Sequence, residues 1–175
     1  MILAFSNTLV APANLDTGVV TYVQDQLETA AGLATDRFIV DLMTSQGIAA
    51  ASVAAAFAAF DGDLRTAVFI GHPKTLATLQ DAANPNVGPR GGVYKTMPAL
   101  PSLAVPVGKL LLQDVKRIAV HDGEQIVDRS DQASLTIDTP DGPQVLNLFH
   151  SNMIALRITK YGDAQIMVAP QVISL

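Results

Sequence analysis

The chain has no cysteine and no tryptophan. The first absence removes disulfides, thiolate nucleophiles and Cys-based metal sites together. The second, with aromatic residues at only 5%, removes the stacking platforms that hold single-stranded nucleic acid. Charge is also scarce, at 15% of residues against the usual quarter. Bases are the scarcer sign: 11 against 16 acids give a net charge of −5, opposite to a phosphate-binding footprint. No basic tail or acidic block hides in that average. The N-terminal Met1-Ile2-Leu3-Ala4-Phe5 lacks a basic flank and stops at Ser6-Asn7-Thr8, so it does not read as a targeting segment. The longest apolar stretch, Gly47 to Phe60, is mostly alanine and too short to span a bilayer. These absences lead us to expect a soluble, intracellular protein with no membrane partner and no specific nucleic acid.

What is present is apolar surface. Hydrophobic residues make up 49% of a 175-residue chain, enough for one domain or two small lobes that bury roughly 70% of their unfolded surface. So greasy a chain with so little charge is expected to have part of its surface covered by something else.

Met1 to Val10 reads as a strand, followed by a turn at Pro12 and Asn14 and an N-cap at Asp16. From there to Met43, Val19, Val23, Leu27, Ala31, Ala34, Phe38 and Leu42 recur at helical spacing, with Gly32 in mid-helix. Ala50 to Phe60 reads as a second helix with a Val53, Phe57, Phe60 seam. Thr66 to Ile70 is a buried strand, and Pro73 opens a short helix to Gln80. Asn84 to Ser102, rich in proline and glycine, reads as a long exposed loop. Leu103 to Val107, Lys109 to Gln113 and Arg117 to His121 read as strands. Three hairpins are then expected, turning at Asp122-Gly123, at Pro140-Asp141-Gly142 and at Tyr161-Gly162-Asp163. Helices first and hairpins later indicate an α+β fold.

Chemistry is sparse. His121, Asp122 and Glu124 could form a metal or acid–base cluster, or simply the polar tip of a hairpin. His72 before Pro73 fits a helix cap, and His150 has no carboxylate nearby to orient it. Gly88-Pro89-Arg90-Gly91-Gly92 is glycine-rich but lacks the strand and helix of a phosphate loop. No nucleophile elbow or Walker-type loop occurs. We therefore assign no catalytic, cofactor-binding or metal residue, and expect no enzyme and no cofactor.

Several phrases, in order, resemble the major capsid proteins of tailed phages with the HK97 fold. Ile2 to Leu9 resembles the strand and polar turn ahead of that family's spine helix, and Asp16 to Met43, with Asp36-Arg37-Phe38-Ile39, resembles the helix. Ala67 to Leu76 is similar to its strand and Asn-Pro helix start, with His72 in place of the commoner asparagine. Leu103-Ala104-Val105-Pro106-Val107 resembles its G-x-P-V strand without the glycine. Ile126 to Ala133, the Phe149 to Arg157 phrase (F-x-x-N-x-x-x-x-R) and Gln165 to Leu175 follow in order.

The resemblance implies an α+β capsid fold with a long spine helix and two lobes. The peripheral lobe would be residues 1–46 plus 165–175, the axial lobe residues 47–164. It implies a structural subunit of a phage or prophage icosahedral capsid, self-assembling with copies of itself in capsomers. Its location would be the virion, assembled in the cytoplasm of a bacterial host. Asn152 matches an asparagine that some relatives crosslink to a lysine; no crosslink is expected here. Relative to the family, the chain starts just ahead of the spine helix, so we expect a truncated form that is monomeric or weakly associated. An encapsulin-type compartment shell and, less well, a small α+β hydrolase or metal enzyme using His121, Asp122 and Glu124 are the alternatives.

Overall fold

A computed structural model describes residues 2–6, 17–140 and 142–175. The expected turn at Pro12 and Asn14, the Asp16 cap, the strand beyond Ser6 and the Asp141 turn position lie outside the described residues. The fold is α+β: the described residues hold three α-helices and twelve strands, divided between two compact units. Unit 1 holds residues 1–32 and 123–161; unit 2 holds 33–122 and 162–175. Helix α1 (Thr17–Gln46) and strands β8 (Ile118–Ser130) and β11 (Met153–Ile166) each contribute to both units.

Unit 2 is built on a seven-stranded mixed sheet, in order β2-β12-β7-β3-β6-β5-β4. Its strands are β2 (Ile48–Ala50), β3 (Ala67–Gly71), β4 (Val87–Gly88), β5 (Gly91–Tyr94), β6 (Met97–Pro101), β7 (Lys109–Asp114) and β12 (Gln171–Ser174). Alternation along β7 fills both faces. Leu110 and Leu112 join Phe69, Ile173, Leu76 and Tyr94 in one core cluster, while Leu111 joins Val40, Met43 and Val105 in another. Helix α2 (Val53–Ala59), capped by Ser52, lays Val53 and Phe57 on the first cluster, joined by Phe60 just beyond its end. The seam is therefore core. Phe57, Phe69 and Tyr94 stack edge to face at 5.9 and 5.2 Å. Helix α3 (Pro73–Thr78) begins where expected, with Pro73 in its first turn.

Unit 1 is thinner. β1 (Ile2–Ser6) pairs antiparallel with β11 from Ile2↔Arg157 to Ser6↔Met153, and β8 flanks β11 on its other side. Leu27 and Ala31 of α1 pack on Leu156 and Ile158. β9 (Ser134–Thr139) and β10 (Gly142–Asn147) form the expected second hairpin, a two-stranded sheet of their own.

Four expectations about the strands are corrected. The stretch from Asn84 to Ser102 is not a loop but carries β4, β5 and β6, with Val87, Tyr94, Met97 and Ala99 buried. Its glycines make the strands possible rather than break them: a Cβ at Gly92 (φ 134°) would run into the Asn86 carbonyl. Leu103 to Val107 forms turns, with Val105 buried beneath them, because Pro106 limits ladder pairing. The Asp122-Gly123 and Tyr161-Gly162-Asp163 hairpins do not exist; both signals lie inside the long strands β8 and β11. A Cβ on Gly123 would sit 2.7 Å from the Tyr161 carbonyl oxygen, so this glycine serves close strand approach, not turning.

The α1 stripe also shifts. Phe38 is 46% exposed, and Ile39, Val40 and Met43 carry the burial instead. Both lines are apolar, so periodicity alone does not choose between them; packing on Leu111 and Val105 does. The expected lobes (1–46 plus 165–175, and 47–164) concern the assembled subunit; the compact units of the chain are 1–32 with 123–161 and 33–122 with 162–175. β12 buries Gln171 and Ile173 between β2 and β7, which ties the C-terminal strand to the seven-stranded sheet.

Candidate functional site

His121, Asp122 and Glu124 all lie exposed on β8. Neighbouring residues on a strand point to opposite faces, so His121 and Asp122 diverge. Among the described residues no three of His, Cys, Asp and Glu group closely enough to hold a metal ion. No helix of the described residues is long and apolar enough to cross a membrane.

The other two histidines serve local structure. His72 is the N-cap of α3: its Nδ1 accepts the Lys74 backbone N–H at 3.1 Å. His150 is exposed, and its backbone N–H donates to Asn147 Oδ1 at 3.0 Å. Asn152 is exposed at φ 48° in the turn that joins β10 to β11, where its N–H donates to the Phe149 carbonyl at 3.2 Å. The Gly88 to Gly92 phrase is a two-residue hairpin between β4 and β5, with Pro89 and Arg90 at its turn. These residues are not brought together.

What the fold does bring together are surface clefts, which the sequence reading did not anticipate. In unit 2, Phe57, Leu64, Ala67, Met97 and Pro98 line a groove of about 570 Å³ with Arg65, Lys95 and Thr96. The β5–β6 turn holds both Lys95 (φ 49°) and Thr96 (φ 69°) in the left-handed region. A two-residue hairpin turn of this hand favours Asn-Gly, and a β-branched residue there is strained. Arg65 grips Asp63 through two nitrogens, 2.8 and 3.0 Å being the shorter contacts. That hydrogen-bonded guanidinium lowers the Asp63 carboxyl to about 2.

Asp114 organises the base of β3. Its carboxylate is buried and accepts Thr66 Oγ1 at 2.6 Å and the backbone N–H groups of Asp63 and Lys116, each at 3.0 Å. Burial alone pushes its pKa up, but these hydrogen bonds prevail and hold it below the ordinary carboxylate value. Asp81 is lowered likewise, by the Asn84 side chain first and then by backbone N–H groups. Both are structural anchors: each ties its own loop to a strand of the sheet or to a neighbouring turn.

In unit 1 a smaller cleft of about 270 Å³ is walled by Ile2, Ala133, Leu135 and Ala155, with Asp128, Arg129, Ser130 and Arg157 around it. Arg157 Nη2 meets Asp128 Oδ2 at 2.7 Å. A sequence signal existed for it: Arg129 and Arg157 are two of the very few bases beyond residue 122.

No protein-family model matches the sequence, and no curated protein matches it. Solved structures do. A chain from Gordonia phage Cozz superposes with a TM-score of 0.64 at 15% identity, over 100% of this chain and 68% of that one. One from Microbacterium phage Oxtober96 gives 0.63 at 15%, over 99% and 70%. One from Mycobacterium phage Adephagia gives 0.60 at 18%, again over 99% and 70%. At such identities the likeness is one of fold.

Proposed function

We propose that this chain, whose fold is shared with chains from Gordonia, Microbacterium and Mycobacterium phages, is a structural subunit of a tailed-phage or prophage capsid, a major capsid protein. The observation that carries the reading is the extent of the match: the whole chain, both compact units included, superposes on phage proteins. Its partners are copies of itself arranged in capsomers, its place is the virion, and its assembly takes place in the cytoplasm of a bacterial host. Its work is to hold shape and make contacts rather than to turn over a substrate, which suits a surface of clefts and capped turns. Unit 1 takes the role of the peripheral lobe and unit 2 that of the axial lobe.

Alone in solution the chain associates weakly and does not close a shell. The reading is tested on particles purified by density gradient from the strain that encodes the chain. Mass spectrometry is expected to find it among the most abundant virion proteins; its absence from intact particles would overturn the proposal.

A further inference from the structure

The charges of unit 1 are unevenly placed. From Ser130 to Leu156 there is no lysine or arginine, while Asp131, Asp138 and Asp141 fall in that stretch. This base-free stretch builds the β9–β10 ribbon. A two-stranded ribbon is marginally stable by itself, and this one exposes Val145 by 73%. The register pairs Thr136 with Val145 and Asp138 with Pro143, so Asp138 and Val145 are diagonal neighbours on one face. That face presents an apolar side chain beside a carboxylate.

The cleft at the base of the ribbon has the complementary character. Its walls are apolar, and it gathers two of the three bases of unit 1. Arg157 is engaged by Asp128, whereas Arg129 has no ion pair among the described residues. The ribbon cannot fill its own cleft with this face. Leu135, which lines the cleft, lies on the opposite face from Val145 and Asp138, because adjacent strand residues alternate.

Building on the capsid reading, we propose that the β9–β10 ribbon of one copy docks into the Arg129 cleft of a second copy. Val145 enters between Ile2, Leu135 and Ala155, and Asp138 meets Arg129. Two different surfaces meet, so the contact is heterologous and propagates head to tail, closing wherever the rotation between copies closes. Opposite charges across it fix the register and reject the like-charged alternative of ribbon against ribbon.

The full chain and three variants test this by sedimentation velocity over a wide concentration range. Asp138→Arg and Arg129→Glu are each expected to raise the concentration for half-association about tenfold or more, and the double variant to recover most of the loss. Because the chain has no cysteine, a second readout is clean. Val145→Cys chains mixed with Ala133→Cys chains are expected to form a mixed disulfide, and Val145→Cys mixed with Leu64→Cys to form little. Wild-type association unaffected by either charge reversal, with equal crosslinking in both mixtures, would overturn this contact and leave the capsid reading standing. A wild-type chain that stays monomeric at every concentration would likewise overturn the contact and leave the capsid reading standing, since that reading expects at most weak association of the chain alone.

Discussion

The two units divide the work of the molecule unequally. Unit 2 carries eight acids and eight bases and is neutral; unit 1 carries eight acids and three bases, and so the entire net charge of −5. Along the sequence this charge looks evenly spread, and only the fold sorts it. Unit 2 packs both faces of a seven-stranded sheet, with Phe69, Leu110, Leu111 and Leu112 all fully buried. Among its described residues unit 1 has one small cluster around Leu27 and Leu156 and leaves Val145 and Phe149 each 73% exposed. The difference teaches that the denser core lies in unit 2 and the net charge in unit 1.

The largest effect should come from the dense side of that comparison. Phe69→Ala removes a side chain packed against Phe57 and Tyr94 and is expected to cost about 4 kcal/mol, against about 3 kcal/mol for Leu27→Ala in unit 1. Calorimetry measures both; equal or inverted losses would erase the asymmetry between the units.

Asp114 comes next. Replacing it with alanine strands the Asp63 and Lys116 N–H groups and removes the shorter of the Thr66 hydroxyl's contacts, at a cost of about 2 kcal/mol. Its folded pKa lies below the unfolded value, so its contribution is full above the ordinary carboxylate pKa of 3.8 and is lost as pH falls through the folded one. Acid titration of the wild type should therefore lose stability below about pH 4, and Asp114→Asn should flatten that loss. An unchanged acid profile in the variant would show that other carboxylates, Asp63 and Asp81 among them, dominate.

Two glycines sharpen the comparison in opposite directions. Gly123→Ala would press a methyl against the Tyr161 carbonyl and is expected to destabilise by about 1–3 kcal/mol. Gly32→Ala meets nothing within 4 Å in α1 and should stabilise by about 1 kcal/mol. Thermal melts of the two variants should move apart. The smallest effect is at the β5–β6 turn: Thr96→Gly relieves a β-branched left-handed residue and should gain less than about 1 kcal/mol in chemical denaturation.

Local signals were legible where one element decides its own geometry. The helix from Thr17, the α3 start with its His72 cap, β3 and the β9–β10 hairpin all read directly from spacing and capping residues. Signals with two physical causes were misread. Glycine marks turns but also marks close approach, so Asp122-Gly123 and Gly162 looked like hairpins while lying inside long strands. Proline and glycine between Asn84 and Ser102 looked like a loop, yet pairing with β3 through β6 holds them in the sheet. The Arg129 cleft was legible only as a scarcity of bases beyond residue 122; its walls join Ile2, Arg129 and Arg157, which the β1–β11–β8 pairing brings together.

The central claim, that this chain is built to tile a shell, is tested most directly by electron cryomicroscopy of particles from the strain that encodes it. The account predicts a shell whose repeating density fits the seven-stranded sheet of unit 2 and the α1 helix, with side chains matching residues 17–175. A shell whose repeating density traces to a different sequence, with no copy of this chain in it, would contradict the account.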